Sequence, residues 1–106
     1  VADLPPGVSV ETVYAVEISY TPDAAERRPA FRAEHLARIA RLMAEGTVIE
    51  AGGYLDFSAA LLLVRAGSAE EAVDLVRDDV YLRSGVWQDD ARVRAYGRVV
   101  TETNNR

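Results

Sequence analysis

Four consecutive aliphatic residues, Leu61-Leu62-Leu63-Val64, constrain the fold of this chain more than any other stretch. As the core of a strand from Ser58 to Ala66, they turn Leu61 and Leu63 to one face of a sheet and Leu62 and Val64 to the other, because side chains alternate along a strand. Whichever register the strand takes, both faces carry apolar side chains and both need cover. Each such side chain left wet forgoes about 1.5 to 3 kcal/mol. An open apolar face is therefore a poor solution for a chain of 106 residues, which is long enough for one domain and one core only.

The flanking sequence says what covers one face. From Thr12 to Tyr20, the residues Tyr14, Val16, Ile18 and Tyr20 alternate with Val13, Ala15, Glu17 and Ser19, a period of two that predicts a first strand. Thr21-Pro22-Asp23 is turn chemistry, and the main helix is expected from about Pro29 to Glu45, ended by Gly46 in the left-handed cap position. Thr47 to Tyr54 predicts a second strand, in which Gly52-Gly53 invites a bulge or the close approach of another group. Ser68 opens a second helix through a capping box with Glu71, with Ala72, Val73, Leu75 and Val76 as its apolar side. A last strand is expected from about Ala91 to Thr101, placing Arg92, Arg94, Tyr96 and Arg98 on one face. Residues 1–10 read as an extended N-terminal arm, 11–101 as the folded domain and 102–106 as a polar tail.

The order β-α-β-β-α-β is the ferredoxin-like arrangement of an α+β protein with a four-stranded antiparallel sheet. Two helices cover only one face of such a sheet. A second copy packed sheet to sheet supplies the other cover, since a two-fold axis lets one apolar patch complement itself. A homodimer, open to further assembly into higher homo-oligomers, is the expected partner state.

Composition enters as a set of exclusions. The formal charge is −5, all twelve basic residues are arginine, and no window is both arginine-dense and aromatic, which disfavours nucleic acid as a partner. Without cysteine there is no thiolate nucleophile and no sulfur-ligated metal. One histidine and no spaced calcium loop leave no metal site to expect. The longest apolar run, Ala59 to Val64, falls far short of the roughly 20 residues of a membrane helix. With no basic-then-apolar leader either, the expectation is no membrane and a cytoplasmic location. The serines lack a nucleophile-elbow context, and Gly52-Gly53 does not precede a helix as a phosphate loop would.

What remains is one imidazole and its neighbours. His35, the only histidine, lies one helical turn after Phe31 and one before Ile39, at the edge of the buried stripe, with Arg32 on an adjoining line of the surface. It is either a boundary histidine bonded to a neighbour or a general acid or base, for which a reference pKa of about 6.5 suits it. Asp78-Asp79 opposes the dipole at the end of the second helix. It reads either as a solvated helix end or as a pair kept for a site, and if one carboxylate turns inward the choice is Asp79, its loop anchored by Val80 and Tyr81. Trp87 either plugs the core or roofs an aromatic ligand.

Taken in order, Arg32-x-x-His35-Leu36, Gly46, Ala51-Gly52, the helix start Ser68-Ala69-Glu70-Glu71-Ala72, and Asp79-x-Tyr81 followed by Gly85-Val86 resemble the YCII-related family. The resemblance spans about Val13 to Val100. It implies a ferredoxin-like protomer pairing into a dimeric α+β barrel, with a histidine and an aspartate as a catalytic pair, here His35 and Asp79. Two departures accompany it: Gly52-Gly53 stands where the family typically has Gly-Pro, and Asp79-Val80-Tyr81 where it has Asp-Pro-Tyr. A member of the family is a dehydrochlorinase of a chlorinated hydroxyquinol, which makes proton transfer with elimination on an aromatic compound the implied chemistry.

The expectation for function is a cofactor-independent lyase or isomerase acting on a small cyclic or aromatic molecule, with His35 and Asp79 catalytic and Arg32, Tyr81 and Trp87 binding substrate. A second reading is a non-catalytic dimer that binds a small ligand or serves as an accessory protein. A third, drawn from other dimeric α+β barrels, is haem or oxygen chemistry with His35 as axial ligand.

Overall fold

The computed structural model describes residues 3–102. Its elements are β1 (Val8–Ser19), α1 (Ala24–Ala44), β2 (Val48–Gly53), β3 (Ala59–Val64), α2 (Ala69–Arg77), a single turn α3 (Val80–Arg83) and β4 (Arg92–Thr101). The four strands form one antiparallel sheet in the order β2-β3-β1-β4, the ferredoxin-like α+β topology read from the sequence.

Register settles which leucines face where. Val16 pairs with Leu62 and Tyr14 with Val64, so these side chains share the helix-covered face. There Val16, Ile18, Ala60, Leu62 and Val64 join Ile39 and Leu42 of α1 and Ala72 and Val76 of α2 in the core. Ala15 pairs with Leu63 on one side and Arg94 on the other, and Glu17 with Leu61 and Arg92, which puts Leu61 and Leu63 on the face that no helix covers.

Two boundaries and the place of a bulge differ from the sequence reading. The arm expected over 1–10 is shorter, because Val8, Ser9 and Val10 pair with Thr101, Val100 and Val99. Residues 1–2 of that arm and 103–106 of the polar tail lie outside the described residues. Helix α1 begins at Ala24, before Pro29, with the Asp23 carbonyl accepting from the N–H groups of Glu26 and Arg27 and the Asp23 carboxylate pairing with Arg27 at 2.6 Å. Pro29, the sixth residue of α1, gives up its own ladder bond and crowds the Ala25 carbonyl, yet the helix runs through it. The bulge expected at Gly52-Gly53 falls instead between Val48 and Glu50. Local capping follows the sequence more closely. Gly46 takes φ 81, its N–H bonds Met43 O and the Thr47 N–H bonds Leu42 O, a Schellman end to α1. Ser68 Oγ accepts from the Glu71 N–H, while the Glu71 carboxylate reaches back to Gly67 N–H.

Candidate active site

Helix periodicity sets one wall of the site. Arg28, Arg32, His35 and Ile39 recur at three- and four-residue intervals along one side of α1, and all four line a cavity of about 160 Å³. The end of α2 sets the other wall. Asp78 caps that helix with its side chain 81% exposed. The chain then turns, and Asp79 becomes the N-cap of α3, Oδ1 accepting from the Tyr81 N–H at 2.9 Å, which carries its carboxylate into the interior at 0% exposure.

There it meets two side chains of α1. His35 Nδ1 lies 2.8 Å from Asp79 Oδ1, and Arg38 Nη1 donates to Oδ2 at 2.9 Å. Arg38 Nη2 also donates to the Leu75 carbonyl at 2.7 Å, tying α1 to α2. Burial alone would raise the Asp79 pKa. The hydrogen bonds from His35, the Tyr81 N–H and Arg38, with the charge the imidazole can carry, outweigh it and hold the carboxyl below its ordinary range. An ionised carboxylate only accepts, so the proton between the two groups sits on Nδ1, and Nε2 is the ring nitrogen left to the cavity.

The imidazole is fixed from its faces as well. Tyr81 stacks on it with ring centroids 3.8 Å apart and planes 9° off parallel, and Trp87 meets it edge-on at 5.4 Å. Only 12% of the His35 side chain is exposed. Burial raises the Tyr81 phenol pKa, against the opposing charges of Arg28 and Arg32. Across the cavity lie Tyr20 and the Gly52-Gly53 backbone. A Cβ on Gly53 would overlap the Tyr20 hydroxyl, so the close approach expected at the glycine pair is real and belongs to this site.

All five residues named from the sequence, Arg32, His35, Asp79, Tyr81 and Trp87, gather here, Asp79 behind the imidazole and the other four on the cavity wall. Trp87 is 2% exposed and belongs to the core while its edge serves the wall. Sequence reasoning missed Arg38, Arg28 and Tyr20. The available signal was helical spacing: Arg38 is three residues after His35 and Arg28 seven before it.

A larger concavity of about 560 Å³ lies on the uncovered sheet face, among Ala15, Leu61, Leu63, Arg94 and Tyr96. Its lining holds no buried ionisable pair, unlike the surroundings of the smaller cavity. The smaller cavity has room for one six-membered ring, as an apolar space of about 150 Å³ takes benzene. A porphyrin is larger than this cavity. Among the described residues no three histidine or carboxylate side chains converge to hold a metal ion, and no helix is long and apolar enough to cross a membrane.

Comparison with known proteins agrees with the fold. Among solved structures, the chain superposes with a TM-score of 0.67 on the 5-chloro-2-hydroxyhydroquinone dehydrochlorinase TftG of Burkholderia phenoliruptrix AC1100, in complex with 2,5-dihydroxybenzoquinone. The two share 20% identity, and the match covers 79% of this chain and 92% of that one. No protein of curated function matches. The profile of the YCII-related domain matches residues 12–94, most of the length, and the chain therefore belongs to the YCII-related domain family.

Proposed function

We propose that the protein is a cofactor-independent lyase or isomerase in which His35 Nε2 moves a proton on a small cyclic or aromatic substrate. The observation that carries this is the 2.8 Å contact between His35 Nδ1 and the buried, ionised Asp79, which leaves the opposite nitrogen as a base facing a ring-sized cavity. In an elimination, Nε2 takes a proton from a carbon, the C–H electrons form the new double bond, and the leaving group departs with its electron pair. In an isomerisation, the same proton returns to a second carbon. Asp79 orients the imidazole and stabilises its cation, Arg38 keeps Asp79 ionised, Arg32 steadies developing negative charge, and Tyr81 and Trp87 form the wall. Support for the ring-shaped substrate comes from the cavity's size and from the solved relative, whose ligand is a single planar ring.

The test is solvent exchange. Small cyclic carbon acids, 5-chloro-2-hydroxyhydroquinone among them, are incubated in deuterium oxide and followed by mass spectrometry for deuterium uptake or chloride release. His35→Gln should slow a positive reaction by about 10²-fold or more. Wild-type inactivity across the set, or equal rates in the variant, rejects the enzyme. A ligand-binding protein with a structural histidine is the alternative, favoured by how closely the imidazole is packed. It gains if a compound raises the melting temperature and is recovered unchanged.

A further inference from the structure

Charge around the cavity is one-sided. Among the described residues, every arginine except Arg28, Arg32 and Arg94 lies within 4.0 Å of a carboxylate. Two of these three line the His35 cavity, and no carboxylate does. Asp79 stands behind the imidazole with both oxygens already engaged. In a chain of net charge −5, acids to pair with are plentiful. Arg28 and Arg32 nevertheless sit one helical turn apart, where like charges repel, without one.

Arg28 is also held in place by something other than an acid. Its guanidinium carbon lies 4.6 Å above the Phe57 ring, which packs edge-on against Tyr20 at 5.4 Å. Phe57 adopts φ 60, a left-handed conformation that a bulky residue takes only when its surroundings impose it. A strained loop residue thus orients Arg28 through the face of its guanidinium and leaves the N–H edge free.

We infer that the cavity binds a monocyclic carboxylate, with its ring beside the stacked His35 and Tyr81 and its carboxylate held by Arg28 and Arg32. Guanidinium edges match a carboxylate by paired hydrogen bonds, and the fit strengthens where water is displaced. A carboxylate is also a charge the substrate carries before any reaction, distinct from the negative charge that develops during proton transfer. The inference rests on the functional reading only in taking this cavity as the ligand site, and on no chemical step there.

Benzoate and benzamide, nearly identical in shape and different in charge, are the probes, titrated calorimetrically at neutral pH. Benzoate should bind at least tenfold more tightly, with an affinity that falls as sodium chloride is added. Arg28→Gln and Arg32→Gln should each reduce the preference and the double variant abolish it, while Arg41→Gln, on the same helix but paired with Glu45 and outside the cavity lining, retains it. Equal binding of the two probes, no binding of benzoate at millimolar concentration, or a preference untouched in the double variant overturns the inference. The outcomes separate the two proposals. Proton exchange without anion preference leaves the enzyme standing and removes the carboxylate, whereas anion preference in a protein that exchanges nothing does the reverse.

Discussion

At the scale of single residues, Asp79 is the group on which the site depends, and its ionisation ties the site to stability. The folded-state pKa lies below that of an unfolded aspartate, about 3.9. As pH falls, the unfolded chain therefore takes up this proton first. The carboxylate's contribution is complete above the unfolded value and is lost as the pH drops from there through the folded one. Urea unfolding at neutral pH and at about pH 3.5 should show a smaller acid loss for Asp79→Asn than for wild type. At neutral pH the same variant leaves Arg38 facing an amide and should cost about 3 kcal/mol. Arg38→Met is the complementary case. With one donor gone, burial acts on Asp79 less opposed and its folded-state pKa rises toward the unfolded value, so the acid loss of stability should shrink, while the acid limb of any pH-rate profile should move to higher pH. An unmoved profile would reduce Arg38 to a brace between α1 and α2. His35 and Asp79 were legible in the sequence because a lone imidazole and a dipole-opposing carboxylate are each unusual by themselves. Arg38 was not, since one arginine among twelve gains its meaning only from the carboxylate that α3 carries to it.

Elements set how exactly these residues meet. The β2 edge passes close over the cavity because Gly53 has no side chain, and the two glycines there are not equivalent. A Cβ at Gly53 would strike the hydroxyl end of Tyr20, whose ring is 8% exposed and braced by Phe57, whereas at Gly52 nothing lies within 4 Å. Gly53→Ala should lower stability by about 1 to 3 kcal/mol through overpacking and weaken ligand binding by pushing Tyr20 into the cavity. Gly52→Ala should stay within about 0.5 kcal/mol of wild type. Matching unfolding midpoints for the two variants would remove the close approach as a design feature of the site. Strand and helix order were legible because period-two and helical patterns survive tertiary packing. The early start of α1 was not, because a proline near a helix start reads as a boundary even where the helix runs through it. The turn α3 was not either, since four residues carry no periodicity, and its N-cap became visible only as the Asp79 side chain that also meets His35.

For the whole molecule, the open sheet face is the unresolved surface in the literal sense of lacking cover. Leu61 is 37% exposed, Tyr96 48% and Tyr54 50%, around a concavity floored by Ala15 and Leu63. Beyond Tyr14 the β1 and β4 strands continue as a two-stranded ribbon without β3, exposing Val10 and Val99 and drawing the molecule out to 49 × 26 × 24 Å. Two-stranded ribbons are marginal alone, so the ribbon gains from a neighbour as the sheet face does. A second copy is the proposed cover. The same face carries Arg94, which has no carboxylate partner within the described residues, and Glu50, which lines the same concavity. A two-fold axis presses one patch against itself, so opposite charges on the patch are compatible with that contact and a patch of one sign is not. Light scattering coupled to gel filtration should therefore give twice the chain mass for wild type. Leu61→Arg, which places a charge at the centre of the apolar surface, should give a monomer that still folds, because the helix-side core is untouched. Arg94→Glu should weaken the pair by leaving Glu50 and a second acid as the charged groups lining the concavity, while Arg83→Glu, on the far side of the protein in α3, should not. A wild type that runs as a monomer at tens of micromolar would leave the apolar face needing another partner, and equal effects of the two charge reversals would remove Arg94 from the interface.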